Sequence, residues 1–545
     1  MSKPIIYQIL PRLWGNTVEN PVKNGDIGRN GTGKFENIDT ATLAYLKDMG
    51  ISHIWFTGII RHATACNASG CETSSPDWIK GKAGSPYAIT DYFDVNPYLA
   101  VNPENRMEEF CDMIDRTHSA GLKAIIDFVP NHVARDYGRF SPKPIIDGRD
   151  ANGHPVLGIL DDKNQLWTET NDFFYYPGQA LKLPVARQKY EEIPAMASGN
   201  AYTPEPTAND WYDTIKLNYC DNHTQTWDKM YEAVRFWAQQ GIDGFRCDMV
   251  ELVPKPFLKW MIKRIKEEFP DIIFIAEVYQ KASYRTYVKD VGFDYLYDKS
   301  GLYDALHDIV RKNVDDSWEP VEAWQSTRRI TWNWQALGDL QPYMLNFLEN
   351  HDEVRFASDF LGKNAANSIP ALYVSLFFNT SPFMLYFGQE VGERGMDEEG
   401  FCGLNGRTSI FDWWSVGSLR RLYNTIHGKD EMSDLEKSIW NEYRQAIAFA
   451  ASERAVNSGD TYDLCYCNVS SDGFDKDRHF AFLRDYEDDT WLFVANFSAR
   501  ASDIIITIPE HAFEWLGLAQ TSELNKDTPI KIHVDAMSGT KLRIS

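Results

Sequence analysis

A (β/α)8 TIM barrel, interrupted after its third strand by an inserted subdomain and followed by a C-terminal all-β domain, is the fold this sequence predicts. Through Ala450, apolar strand-like runs alternate with helix-like stretches, the pattern of consecutive βα units. Eight such runs can be counted, the number that closes a barrel. Four of them end in acids, histidines or an arginine: Asp127-Phe-Val-Pro-Asn-His132, Gly244-Phe-Arg-Cys-Asp248, Ile275-Ala-Glu277-Val-Tyr279 and Phe347-Leu-Glu-Asn-His-Asp352. An apolar run gains by burial, whereas a charged group at its end resists burial unless it is paired or functional. A parallel sheet that gathers its C-terminal ends around one pocket accounts for all four.

The strand candidates are Ile5–Leu10, His53–Gly58, Lys123–Val129, Gly244–Asp248, Ile272–Tyr279, Phe293–Asp298, Tyr343–Leu348 and Pro382–Phe387. Helical stretches over Ala41–Lys47, Met107–Ala120, Thr226–Gln240 and Lys255–Phe269 precede the second to fifth of them. Gly50, Gly121 and Gly241 stand where a helix must end before the next strand begins. About 95 residues separate His132 from the helix at Thr226, against about 2–6 for an ordinary βα loop. That stretch, with Gly, Pro and aromatics such as Phe173-Phe-Tyr-Tyr-Pro177, is expected to be an irregular subdomain walling one side of the pocket. After a helix over Asp434–Ala451 come short alternating runs, among them Thr490–Asn496 and Ile504–Ile508. These predict a small β-sandwich. The expected divisions are 1–132 and 223–453 for the barrel, 133–222 for the insert and 454–545 for the C-terminal domain.

With 545 residues the chain exceeds one simple core, and 43% hydrophobic with 24% charged residues is ordinary for a globular protein. Aromatics are less ordinary: 17 Trp, 27 Tyr and 30 Phe make 14% of the chain. Most serve the core, and the rest suit a cleft for sugars, whose C–H faces pack on aromatic planes. A net charge of −23 argues against nucleic-acid partners and favours a neutral substrate over a phosphorylated one. No run of 18 apolar residues marks a membrane span. Met1-Ser-Lys-Pro4 leads straight into the first strand without a signal peptide, so a cytoplasmic location is expected, or a periplasmic or secreted one if a natural leader has been removed. No motif fixes an oligomeric state. Eight cysteines do not make a disulfide scaffold. Cys66 and Cys71 are spaced to bridge a small loop or, with His62, to bind a metal.

Asp248 and Glu277 lie one βα unit apart, so neighbouring strands present them to the same pocket. Arg246 keeps one carboxyl ionised, while apolar walls and like charge keep the other protonated. This suits glycosidic bond cleavage, in which a nucleophile attacks the anomeric carbon while an acid protonates the leaving oxygen. Asp352 adds a third carboxylate, to stabilise positive charge or grip sugar hydroxyls. Salt bridges at a barrel rim account for any one of these acids taken alone.

Together, in this order and spacing, the four segments resemble the four signature regions of the α-amylase family of glycoside hydrolases (family 13). That family combines a (β/α)8 barrel, a domain inserted after strand three and a C-terminal β-domain, so the resemblance covers nearly the whole chain. It implies Asp248 as nucleophile, Glu277 as general acid/base and Asp352 as transition-state stabiliser, with Arg246 orienting the nucleophile. His132 and His351 would hydrogen-bond the sugar beside the cleaved bond. Gly84-Ser-Pro-Tyr87-Ala-Ile-Thr-Asp-Tyr92 resembles the segment whose tyrosine stacks under the ring, which makes Tyr87 that platform. Asp127 resembles the acid that supports the site from strand three, and Arg355, near His351-Asp352, is expected among the substrate-binding groups. The implied substrate is an α-linked gluco-oligosaccharide, with no organic cofactor. Calcium is implied through Asn131, which matches a family ligand. Asn24, Asp26 and Asn30 form an oxygen-rich loop that suits either a second ion or an ordinary turn.

The departures bear on specificity. Many α-amylases carry Lys-His three and four residues beyond the nucleophile, where this chain has Glu251 and Leu252. Gly84 and Ser85 replace the Asp or His that many relatives place before the stacking tyrosine. Thr214-Ile-Lys-Leu-Asn218 resembles the segment of neopullulanase-like and cyclodextrin-degrading members. These features point to short oligosaccharides over long starch. Three readings stay open: a retaining hydrolase of mainly α-1,4 bonds, a transglycosylase or isomerase of the trehalose-synthase kind, and a non-catalytic sugar-binding member.

Overall fold

Strands covered on both faces need apolar side chains at nearly every position, and the eight runs supply them. In a computed structural model, which describes residues 3–65, 73–315, 319–487, 489–521 and 524–544, they form one closed parallel barrel. Its strands are β1 (Ile5–Ile9), β2 (His53–Phe56), β3 (Lys123–Phe128), β4 (Gly244–Cys247), β5 (Ile273–Ala276), β6 (Tyr295–Tyr297), β7 (Met344–Phe347) and β8 (Phe383–Tyr386). Neighbours in sequence are neighbours in space, and β8 closes on β1 through Ile5↔Phe383. Ile6, Trp55, Ile125, Ile275, Tyr297 and Met384 are among the side chains that fill the interior as a separate apolar cluster.

Side chains alternate along a strand, so register decides which groups share the barrel interior. Arg246 of β4 lies beside Asp127 of β3 and Ile275 of β5. Two residues further on, Asp248 and Glu277 face the same way past the strand ends, their N–H groups still donating to the carbonyls of Phe128 and Cys247. At the foot of β4 a side chain at Gly244 would collide with its neighbours, its Cβ falling 2.6 Å from Cγ1 of Ile273. Glycine there lets the strand run close to β5 with Arg246 above it.

Helices α1 (Thr40–Met49), α2 (Arg106–Ser119), α3 (Gln225–Gln239) and α4 (Lys255–Glu268) pack outside as expected. Asp39 caps α1 by accepting from the Thr42 N–H at 2.9 Å, and Gly50 ends it at φ 97°. The long stretch between β3 and α3 is irregular, held by two short antiparallel pairs, His132–Ala134 with Thr214–Lys216 and Tyr175–Tyr176 with Ala195–Met196. The first pair brings the end of the insert back beside His132. Cys66 and Cys71 lie outside the described residues. His62 is buried, with Nε2 3.0 Å from Nδ2 of Asn96.

After β8 the chain adds α5 (Gly417–Ile426) and α6 (Asp434–Ser452), then a C-terminal β-region. Strands β9 (Asp460–Asp463), β10 (His479–Tyr486), β11 (Asp489–Asn496) and β14 (Ser538–Arg543) make an antiparallel sheet, with β12 (Ser502–Ile506) and β13 (Ile530–Val534) as a separate pair. This region docks on the barrel through aromatic stacking and one buried cation. Phe377 stacks on Phe493 at 5.0 Å, and Arg484 donates to the carbonyls of Phe378, Ala455, Val456 and Gly459. Among the described residues no helix is long and apolar enough to cross a membrane.

His307, on the helix Asp304–Asn313, has Nε2 2.9 Å from the carbonyl of Leu348 and so pins the chain just beyond β7. Burial pushes its pKa down to about 3. The folded value lies below the unfolded one of about 6.5, so its contribution to stability is complete above pH 6.5 and is lost as pH falls toward 3. The stability advantage of the native chain over His307→Asn is therefore expected to shrink between pH 7 and 4, by up to about 1.4 kcal/mol per pH unit. Urea unfolding of both chains across that range checks it, and a constant difference would contradict it.

Candidate active site

A guanidinium has five N–H donors in a rigid plane and cannot shed its charge, so once buried it must be surrounded by acceptors. Arg246 is fully buried at the C-terminal mouth of the barrel. One of its terminal nitrogens donates to Oδ1 of Asp248 at 2.8 Å, and the other lies 2.9 Å from Oε2 of Glu277. Asp127 stands 3.6 Å away, and Nε donates to the Tyr297 hydroxyl at 3.2 Å. The rings of Trp55, Tyr87 and Tyr297 surround it at 5.4–5.5 Å. One cation thus sets the spacing of two carboxylates that the sequence places a βα unit apart.

Met249, directly after Asp248, takes a left-handed conformation at φ 45°, rare for a side-chain-bearing residue. The turn aims its N–H at Oε2 of Glu277, 2.9 Å away. The other Glu277 oxygen accepts from the Tyr279 hydroxyl at 2.7 Å. Burial, together with the charges of Glu277 and Asp352, pushes the Asp248 carboxyl up, against the pull of Arg246.

From the other side of the mouth comes a hydrogen-bonded relay. Gln8 Nε2 lies 2.9 Å from Nδ1 of His351, and His351 Nε2 lies 2.6 Å from the Tyr87 hydroxyl, which donates to Asp127 at 3.2 Å. The Gln8 amide assigns the proton to Nε2, which also faces Oδ2 of Asp352 at 3.1 Å. The rings of Tyr87 and His351 stack at 5.1 Å. Asp352 itself opens to the cleft, its side chain 44% exposed. Burial pushes its carboxyl up, but His351, Arg246 and Arg407 outweigh that and hold it at about 2. His132 is neutral, because burial and the cations of Lys216 and Lys80 push it down to about 3.

These groups line a cleft of about 270 Å³: Tyr87, His132, Asp248, Glu277 and Asp352, joined by Lys80, Trp211, Asp213, Met249, Tyr279 and Phe411. Arg246, Asp127 and His351 stand behind that lining. A larger groove, about 950 Å³ and lined in part by Glu393, Arg421 and Glu436, gathers no comparable set. Sequence reasoning missed Trp211, Lys80 and Asp213, which come from irregular segments without a motif, and Tyr279, whose nearness to Glu277 was a signal.

Arg355 is not a cleft residue. It is fully buried and donates to Glu349, Thr408 and the Phe387 carbonyl, fastening the loop after β7 to β8. Glu251 also has a structural partner, accepting from the N–H groups of Tyr279 and Gln280 at 2.9 and 3.2 Å, which orients the segment after Glu277.

The calcium expectation does not fit these residues. Oδ1 of Asn131 accepts from the ammonium of Lys216, which also donates to the Leu252 carbonyl at 2.9 Å. A divalent ion there would sit against a buried cation. In the first long loop, Asp26 caps a short helix by accepting from Arg29 N–H, and Asn30 is buried and bonded to Val22 and Trp413. Asn24 holds a left-handed turn at φ 55°. Among the described residues no group of three or more His, Cys, Asp or Glu is placed to hold a metal.

The family model described as "Alpha amylase, catalytic domain" matches residues 8–485. Neopullulanase 2 of Thermoactinomyces vulgaris is 24% identical over 413 residues, covering 72% of this chain and 57% of that protein. Cyclomaltodextrin glucanotransferase of Geobacillus stearothermophilus is 23% identical over 478 residues, covering 85% of this chain and 57% of that protein. The chain thus spans a little over half the length of both. Among solved structures, the debranching enzyme of Nostoc punctiforme superimposes with a TM-score of 0.65 at 18% identity, over 99% of this chain and 98% of that one.

Lys216→Met is expected to leave Asn131 Oδ1 and the Leu252 carbonyl without their donor, at a cost of about 1–3 kcal/mol in urea unfolding. A chelator is expected to leave the midpoint of the native chain unchanged. A chelator-induced drop in that midpoint would reinstate a structural metal.

Proposed function

Because the chain belongs to the α-amylase family, we propose that it is a retaining glycoside hydrolase that cleaves α-glucosidic bonds, mainly α-1,4, in malto-oligosaccharides. The observation that carries this reading is the arginine clamp: one buried guanidinium holds Asp248 and Glu277 side by side at the floor of a cleft. Asp248 attacks the anomeric carbon, and Glu277 delivers a proton to the glycosidic oxygen. The covalent glycosyl-enzyme is then opened by water that Glu277 deprotonates, and two inversions return the α-configuration.

The remaining groups bind and orient. Asp352, the cleft carboxylate held ionised, accepts from sugar hydroxyls and stabilises positive charge as the bond breaks. Tyr87 lies under the ring, and His132 and His351 hydrogen-bond its hydroxyls. Trp211, 5.2 Å from His132, extends the aromatic wall from the insert at 133–222. Asp127 supports the clamp from behind.

Transfer to a sugar hydroxyl shares the first half of this reaction. Similarity to a glucanotransferase keeps it as the second reading. Tyr279 lines the cleft and donates to the acid, so it stands where an incoming acceptor is discriminated.

Incubation with maltotriose, maltoheptaose, cyclodextrin and pullulan, analysed by chromatography, is expected to release shorter sugars, with longer products marking transfer. Asp248→Asn is expected to lose about 10⁴-fold or more in rate while keeping its unfolding free energy to within about 2 kcal/mol. The first product anomer in the NMR spectrum is expected to be α, and a β-anomer would sink the covalent mechanism.

A further inference from the structure

Outside the cleft, the C-terminal region carries an exposed aromatic ring beside a small hollow. The helix α7 (Glu510–Leu516) presents Trp515 with 73% of its surface exposed, more than any other large apolar side chain among the described residues. An indole in water forfeits the burial that usually retains it. Beside it lies a hollow of about 350 Å³, lined by Tyr462, His511, Glu514 and Trp515. Its polar groups are held in place: the hydroxyls of Tyr462 and Tyr466 are 2.6 Å apart, and that of Tyr466 lies 2.6 Å from Nε2 of His511. Tyr462 is buried, so this network is anchored in β9, whereas Tyr466 is 52% exposed.

We infer that this hollow is a second carbohydrate-binding site, which holds a glucose unit of an α-glucan away from the catalytic cleft. A pyranose has a C–H face that packs on an indole and a rim of hydroxyls that need donors and acceptors at fixed positions. Here a flat exposed ring stands beside two phenols, an imidazole and a carboxylate. The carboxylate, on a chain of net charge −23, disfavours an anionic ligand. The choice of an α-glucan rests on the proposed function, since a chain that cleaves such polymers gains local concentration by holding them at a second point.

The test separates the two sites. Asp248→Asn, inactive but able to bind, is run through native gels containing amylopectin and is expected to be retarded. Adding Trp515→Ala is expected to weaken retention about tenfold in apparent Kd. Glu514→Gln is expected to weaken it less. On the native background, Trp515→Ala is expected to leave kcat/KM on maltotriose unchanged. Unaltered retention after Trp515→Ala overturns the site. No retention by Asp248→Asn, with maltoheptaose still cleaved by the native chain, overturns it while leaving the catalytic reading intact. No retention and no cleavage removes the substrate class on which both depend. A change in sedimentation on Trp515→Ala, without a change in retention, makes the face a contact between copies and overturns the proposal.

Discussion

One buried positive charge organises the mouth of the barrel. Removing a guanidinium from water is costly unless acceptors replace its hydration, and Arg246 finds them in Asp248, Glu277 and the Tyr297 hydroxyl, with Asp127 close by. The dependence is mutual, since carboxylates this close repel one another without the cation between them. Three aromatic faces complete the enclosure and keep water from screening the charges. The geometry of the cleft floor is therefore an electrostatic solution carried by three adjacent strands, and their register is what makes it available.

A second cation works on the same principle at the rim. Lys216 links Asn131, just past β3, to the Leu252 carbonyl in the segment after β4, and it reaches them from the returning strand of the insert. A side chain supplies the positive charge at this junction, so the insert is tied to the barrel by the chain itself. Burial keeps nearby His132 neutral and the same ammonium adds to that, which couples the junction to the character of the cleft wall. Glu251 makes a comparable link on the other side by holding the backbone of Tyr279, whose hydroxyl reaches Glu277. Glu251, which stands where many α-amylases carry lysine, is therefore a structural connection.

The acids of the cleft are differentiated by their surroundings. Asp352 projects into the open cleft beside His351 and stays ionised, whereas burial and like charges push the Asp248 carboxyl up against the pull of Arg246, which donates to it. Identical side chains acquire different roles because burial and neighbours act on them unequally. Arg355 and Glu349 illustrate the opposite outcome: an ion pair sealed from the cleft, with Glu349 pushed up to about 7 by burial, that fastens two loops together.

The barrel, its eight strands and the gathering of Asp248, Glu277, His351 and Asp352 at one end were all determined by local sequence. Each strand is a short apolar run, and the charges that end four of them tolerate only one placement, so period and composition suffice. The neutrality of the interior below them follows from the same runs. Tertiary structure decided what depends on distance between remote segments. Arg246 lies in β4 and Arg355 in the loop after β7, both near strand-end acids in the sequence, yet Arg355 is sealed behind that loop and Arg246 clamps the cleft, because only packing sets their partners. Asn131 reads as an ion ligand until Lys216, 85 residues away in sequence, is found at its oxygen. Trp211, Lys80 and Trp515 belong to segments with no periodicity to interpret or to a short helix, and their roles arise from which surfaces the folded chain leaves open. Local physics selects the elements, and long-range packing selects the partners of every charge between them.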